Sequence, residues 1–332
     1  MAAVLRRSTV VPQPAAEITE IRQSLHAGEV APAVAAWFAH RRLRADEYPP
    51  ERLVELKGST TVTVIVPTKQ CEATIGGVLA HSVLPLAEHG LVDDLVVVDA
   101  ESTDATASIA ARAGARVLLE DELERDLGPA LGKGDAMWRA LRATGGEIVC
   151  FLDGDTTDPT PRHLQGLLGP LLTDRSLALV KGAFERPLQI DGVKLAHEGG
   201  RVTELMARPL LNLCEPLLAG FAQPLAGEFA ARRELLEQCA FPVGYGVEIA
   251  ILIDSLRACG LDALAECQLG TRQNRHQPLR ALGEMAYAVL VAVENRRGAA
   301  DAPIADGRYL RPWQDGAIAS VPVAERPPIR PR

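Results

Sequence analysis

What this chain lacks narrows its class first. No apolar run approaches the roughly 18 to 20 uncharged residues of a membrane-spanning helix, so a membrane protein is not expected. Arg6-Arg7 near the N-terminus precede no apolar leader core, and a cytoplasmic location is expected. The six cysteines (Cys71, Cys150, Cys214, Cys239, Cys259, Cys267) show no C-x-x-C spacing, and several sit in apolar runs. Reduced core thiols are therefore expected, not a zinc site or a disulfide framework. Positive charge is not in excess: 35 basic residues face 43 acidic ones, for a net charge of −8. That argues against a broad nucleic-acid or anionic-membrane surface, yet leaves room for a local phosphate pocket. Glycines in G-x-G-x-x-G spacing are missing after the first β-like run, so a nicotinamide cofactor is not expected. No internal repeat or low-complexity tract stands out.

What is present fits an ordinary globular chain of 332 residues, 47% hydrophobic and 23% charged, with one large or two modest domains. Residues 1–60 are Ala- and Arg-rich with scattered helical periodicity, closed by Pro49-Pro50, and predict a helical N-terminal arm. The β-branched run Thr61 to Val66, stopped by Pro67, predicts a first strand, with a helix from Glu72 to Ala80. Asp94 to Asp99 repeats the pattern before Ala105–Ala113, Arg116 to Leu119 is a short third strand, and Lys133–Ala143 a helix opened by Gly132 and Gly134. Ile148 to Leu152 is a fourth. Strands alternating with helices at this spacing predict an α/β fold with a parallel, doubly wound sheet. Residues 61–157 form its ligand-binding half and 158–295 a second half with helices over Val202–Leu213, Val247–Cys259 and Leu282–Asn295. Residues 296–332 predict an irregular C-terminal arm.

Three polar strand ends fall at one rim of such a sheet: Pro67-Thr68-Lys69, Asp99-Ala100-Glu101 and Asp153-Gly154-Asp155. Ligands of open α/β sheets bind there. If strand geometry persists, Asp153 and Asp155 point to the same side and can share a divalent cation or divide the work between cation and ligand. Asp99 suits a ribose or base. Lys133, between two glycines at a helix start, combines a cation with exposed N–H groups and suits a diphosphate.

The order Val-Ile-Val-Pro, Val-Val-Asp-Ala-Glu-Ser-Thr-Asp-Ala-Thr, Gly-Lys-Gly-Asp-Ala-Met-Trp and Asp-Gly-Asp resembles the nucleotide-sugar half of family 2-like glycosyltransferases of GT-A fold. Further on, Gly199-Gly200-Arg201-Val202-Thr203-Glu204-Leu205, Gln223-Pro224-Leu225-Ala226-Gly227-Glu228, Gly244-Tyr245-Gly246-Val247-Glu248-Ile249 and Arg326-Pro327-Pro328 are similar to the hexosyl-3-phosphoglycerate synthases of glycosyltransferase family 81. The likeness spans about residues 61 to 295 and the tail. It implies retaining transfer of a hexose from a nucleoside diphosphate sugar to the 2-hydroxyl of 3-phosphoglycerate, with Mg²⁺, or Mn²⁺ or Co²⁺, as cation. Pro67, Thr68, Lys69, Asp99, Ala100, Lys133, Asp153 and Gly154 are implied at the nucleotide, and Asp155 at the metal. Gly200, Arg201 and Thr203 are implied at the phosphoglycerate, with Arg272 beside it. Leu225, Gly227, Tyr245 and Glu248 are implied at the sugar and active centre. A homodimer is also implied.

Two departures matter. Many glucosyl members read Pro-Ala-Leu-Asn-Glu-Glu after the first strand, whereas Cys71 here replaces the glutamate that meets uracil, so a guanosine donor and mannose from GDP-mannose are expected. Glucose from a GDP-, UDP- or ADP-linked donor is the other expectation. The family's late Arg-x-His-x-Asn reads Arg272-Gln273-Asn274-Arg275-His276 here, leaving either Asn274 or His276 to complete the metal site. Asp153-Gly154-Asp155-Thr156-Thr157 also fits the D-x-D-x-T of haloacid-dehalogenase-like phosphatases, but follows the fourth strand where that family uses the first. A non-catalytic sugar-nucleotide binding module would keep the strand ends without needing the later motifs.

Overall fold

The computed structural model describes residues 29–190, 193–195, 199–272, 277–298, 302–314 and 316–330, with Thr19, Gln23 and Ser24. Eight strands make the main sheet: β1 (Arg42–Arg44), β2 (Val62–Thr68), β3 (Asp94–Asp99), β4 (Arg116–Leu119), β5 (Ile148–Phe151), β6 (Leu179–Glu185), β7 (Phe229–Arg232) and β8 (Leu264–Thr271). Their spatial order is β1-β8-β6-β7-β5-β2-β3-β4. All neighbours run parallel except β7, which is antiparallel to both β5 and β6. This reversed strand matters for the site. The residues just before β7 reach the same sheet edge as the residues just after β2, β3, β5, β6 and β8.

The sheet is covered on both faces, as a largely parallel sheet must be. Along β2, Ile65 joins one apolar cluster while Val64 and Val66 join the other, the period-two signature of a strand buried on two sides. On Ile65's side pack helices α1 (Pro32–His40), α2 (Lys133–Ala143) and α4 (Val247–Cys259). On the other lies α3 (Pro161–Thr173), whose Leu164, Leu167, Leu168 and Leu171 are buried. Helix α5 (Leu279–Arg297) packs against α4. No helix among the described residues is long and apolar enough to cross a membrane.

Both predicted arms differ from expectation. Described residues of the N-terminal stretch enter the core: Trp37 is buried and donates its indole N–H to the Leu264 carbonyl at 2.7 Å, and β1 extends the sheet alongside β8. The C-terminal stretch is built too. It forms a hairpin of Gly307–Arg311 with Ala317–Val321, and then Glu325–Arg326 pairs with Phe241–Pro242. The hairpin leans Tyr309 against Tyr287 of α5, at 5.9 Å between ring centroids.

Candidate active site

Strand β5 stops at Phe151, so Asp153 and Asp155 leave it in a turn and are not related by strand alternation. Their environments diverge accordingly. Asp153 is largely buried, with 17% of its side chain exposed, while Asp155 is 52% exposed at the rim. Asp153 lies between two cations, with Lys133 Nζ 2.7 Å from Oδ1 and Arg272 Nη2 3.0 Å from Oδ2. Burial alone would push its carboxyl up, but these cations outweigh it and hold the group well below the usual carboxylate range.

Lys133 is the first residue of α2, set there by Gly132 at φ 145°. Its ammonium also reaches Glu248 Oε1 at 2.8 Å. Burial opposes its charge, yet Asp153 and Glu248 together hold it protonated well above an ordinary lysine. Glu248 is buried in the first turn of α4, where the helix dipole favours a carboxylate. Gly227 completes this packing, because a Cβ there would stand 2.3 Å from the Asp153 carboxylate and 2.6 Å from Lys133 Nζ. A side chain there would have to push this pair aside. Glu228, next along and just before β7, ion-pairs with the buried Arg272, which also lies 3.6 Å from Asp155 Oδ1. Arg272 follows β8 directly.

The β2–β3 edge is built differently. Asp99, fully buried, accepts hydrogen bonds from Thr68 Oγ1 (2.9 Å), Ser102 N–H (2.9 Å) and Ser102 Oγ (2.7 Å). Its carboxylate ties two loops together, where the sequence suggested a ribose or base contact. Ala100 N–H donates to the Thr68 carbonyl, and Gln70 and Glu101 both hold left-handed backbone, at φ 54° and 48°. Such strain in non-glycine residues collects at functional rims. Pro67 is half-buried, Lys69 exposed, and Gly154 packs so tightly that a Cβ would meet Thr68 Cγ2 at 2.7 Å. Cys71 is buried, with its N–H on Thr106 Oγ1 at 2.8 Å and its thiol on the Lys69 carbonyl.

On the far side, Gly200 has φ +69° and opens the helical segment that begins at Arg201, with a π turn over Thr203–Ala207. Thr203 is buried, and Arg201 Nη2 donates to the Gln277 carbonyl at 2.6 Å. Leu225 is half-buried and Tyr245 46% exposed at the rim. Asn274 and His276 lie outside the described residues. Among those described, no group of three or more His, Cys, Asp or Glu side chains could hold a metal. Asp155, a half-exposed rim carboxylate 3.6 Å from the Arg272 guanidinium, has the oxygen-donor chemistry of a cation shared with a ligand's phosphates.

Two cations escaped the sequence reading. Lys181, on β6, is fully buried, donates to the Ala226 carbonyl at 2.6 Å and lies 5.1 Å from the Phe229 ring centre. Burial brings its ammonium down to about 7. Arg186, just past β6, stacks 5.0 Å from the Phe184 ring centre, and its buried Nε has no hydrogen-bond partner. Its carbonyl accepts the Gly199 N–H at 2.9 Å, and burial together with the nearby Arg272 charge lowers its guanidinium to about 10. A lysine inside the apolar run Leu179–Phe184 was the available signal for the first.

Comparison with known proteins agrees with this architecture. Residues 63–209 match the glycosyl transferase family 2. The glucosyl-3-phosphoglycerate synthase of Mycolicibacterium smegmatis is 42% identical over 281 residues, covering 83% of this chain and 92% of that protein. Among solved structures, the mannosyl-3-phosphoglycerate synthase from Rubrobacter xylanophilus has a TM-score of 0.79 at 42% identity, covering 89% of this chain and 98% of that one. The Mycobacterium tuberculosis glucosyl-3-phosphoglycerate synthase, in complex with Mn²⁺, UDP and phosphoglyceric acid, has a TM-score of 0.75 at 40% identity, covering 85% and 94%. With a GT-A-type sheet, the shared order of motifs and this level of identity along most of its length, the chain belongs to the family of glucosyl- and mannosyl-3-phosphoglycerate synthases, which are glycosyltransferases.

Proposed function

We propose that this chain transfers a hexose, with retention, from a nucleoside diphosphate sugar to the 2-hydroxyl of 3-phosphoglycerate, in the cytoplasm and as a homodimer. The favoured donor is GDP-mannose, giving mannosyl-3-phosphoglycerate, a compatible-solute precursor. The observation that carries this reading is Lys133 bridging Asp153 and Glu248, with Arg272 on the other side of Asp153 and Arg186 beside the Gly199–Gly200–Arg201 loop. One side holds a diphosphate sugar. The other offers two arginines to an acceptor that carries a phosphate and a carboxylate.

Charge balance supports a cation. The named groups at the centre are Lys133, Lys181, Arg186 and Arg272 against Asp153, Asp155, Glu228 and Glu248, which nearly cancel before any diphosphate arrives. Asp155, with Asn274 or His276, would hold a divalent cation, which would supply charge neutralisation to the diphosphate. Mg²⁺ is favoured, with Mn²⁺ or Co²⁺ as substitutes. The acceptor oxygen bonds the anomeric carbon on the face from which the diphosphate departs, and the hydroxyl proton passes to a diphosphate oxygen. Lys133 stabilises the developing negative charge, and Arg272 keeps Asp153 ionised and in place. Leu225, Gly227, Tyr245 and Glu248 orient the sugar.

Glucose transfer is the second reading, favoured by the glucosyl relatives and by the UDP-glucose bound in the Mycobacterium tuberculosis protein. Cys71 supports guanosine, since its buried thiol offers the base no carboxylate. Incubating pure protein with 3-phosphoglycerate and a panel of GDP-, UDP- and ADP-linked mannose and glucose, with and without EDTA, decides between them. GDP-mannose turnover that EDTA abolishes is expected. Phosphate release from 3-phosphoglycerate without sugar transfer would instead favour a phosphatase, and a trapped covalent sugar on Glu228 or Glu248 would replace same-face attack. Light scattering that finds only monomer at micromolar concentration removes the dimer.

A further inference from the structure

The segment from Pro322 to Pro328 joins two elements that carry side chains of the charged centre. Val243 N–H donates to the Ala324 carbonyl at 2.8 Å, and Phe241–Pro242 pairs antiparallel with Glu325–Arg326. From that short strand Arg326 reaches α2 and forks onto Asp135, with Nε 2.7 Å from Oδ1 and Nη2 2.8 Å from Oδ2. Trp138, on the same helix, donates its indole N–H to the Pro327 carbonyl at 2.9 Å.

Asp135 is fully buried and does more than receive Arg326. It accepts the Leu131 N–H at 3.0 Å, and its own N–H donates to the Val243 carbonyl at 3.2 Å. It therefore fixes the backbone on both sides of Gly132–Lys133. The neighbouring Gly134 lies so close to the 241–242 strand that a Cβ would stand 1.9 Å from the Pro242 carbonyl oxygen. Lys133 thus rises from a turn whose position is set by Asp135, which is held in turn by the shorter fork from Arg326 and by longer contacts, 3.3 and 3.4 Å, from Arg139 on its own helix. Glu248, its partner, is the second residue of α4, just beyond the same 241–246 segment.

We propose that Arg326 is a positioning residue of the donor site, acting through Asp135 and Leu131 on Lys133. This rests on the reading of Lys133 as a diphosphate contact. A fork onto a buried carboxylate sets an angle as well as a distance, which a single bond does not.

The test is a double-mutant cycle on the full chain with Mn²⁺, reading donor KM, acceptor KM and kcat, and, without turnover, GDP and UDP binding by calorimetry. Arg326→Gln should raise the donor KM and the nucleotide Kd by about 5- to 10-fold with acceptor KM unchanged, and Arg326→Lys should recover part of that loss. In a Lys133→Ala background the same change should add less than about twofold, because both act on one interaction. Arg330→Gln is the control: it cuts the tail's exposed tie to Glu237, 2.9 Å long, and should leave donor KM alone. Effects of Arg326→Gln and Lys133→Ala that multiply, or a rise in donor and acceptor KM alike, overturn the proposal. A wild-type protein that binds GDP or UDP but transfers no hexose overturns the functional reading while calorimetry still tests this one; one that binds neither nucleotide overturns both.

Discussion

Two stretches of the same sheet edge are built by opposite means. At the β2–β3 end a single buried carboxylate, Asp99, is satisfied by hydroxyls and a backbone N–H, with no cation among its hydrogen-bond partners. At the β5–β6–β8 end, Asp153, Glu248 and Glu228 are met by Lys133 and Arg272. Neutral donors hold a loop in one shape and respond weakly to an incoming charge. Ion pairs in a partly desolvated rim respond strongly, since a ligand's charges compete with theirs. Under the proposed function, the difference would assign a rigid seat to the nucleoside and a charge-responsive seat to diphosphate and acceptor.

The sharpest way to break this division is Asp155→Ala. Transfer in the presence of metal should fall by more than about 100-fold, measured by product formation at saturating donor, whereas Asp153→Ala should mainly weaken donor binding. Equal losses in kcat for the two would erase their separate roles. Gly227→Ala comes next, because its methyl group would displace the Asp153–Lys133 pair. A stability loss of about 2 kcal/mol in urea unfolding is expected, with a higher donor KM; wild-type behaviour would mean the pair yields easily.

Lys181 gives a pH signature confined to the charged side. An ordinary lysine titrates near 10.5 and this one at about 7, so between those values the unfolded chain binds the extra proton. Stability should therefore rise with pH across that window, with the full cost present below about 7. The gain is on the order of 2 to 4 kcal/mol, and Lys181→Met should flatten it in unfolding curves at pH 6.5, 8 and 9.5. An unchanged slope would mean that Lys181 is not its source. Smallest is Thr68→Val on the neutral side, worth about 1 kcal/mol and insensitive to salt. A strong salt dependence there would dissolve the contrast.

The sequence made the strands legible because β-branched runs have few other readings, although the first runs through Pro67 to Thr68 where the proline is expected to stop it. It did not reveal β7, since Phe229-Ala-Ala-Arg232 alternates too weakly to read as a strand, and pairing with β5 and β6 makes it one. Nor did it reveal β1, three residues of which two are arginine, whose place depends on a partner more than 200 residues away. The Asp153–Asp155 reading assumed a strand that ends two residues too early. At the site, Lys133 announced itself through flanking glycines. Lys181 and Arg186 did not, because one cation in an apolar run gains meaning only when the sheet brings Asp153 and Glu248 near it.

The pairing of β1 with β8 bears on how the molecule is made. Trp37 and Arg42–Arg44 leave the ribosome early, but their partners at 264–268 come after most of the chain. That edge must close late, over a loop that includes every other strand of the sheet, and contacts of such separation form slowly. Until then the other edge of β8 stays open to wrong partners. During synthesis, Trp37 can be buried against Leu264 only after every other strand of the sheet has been made.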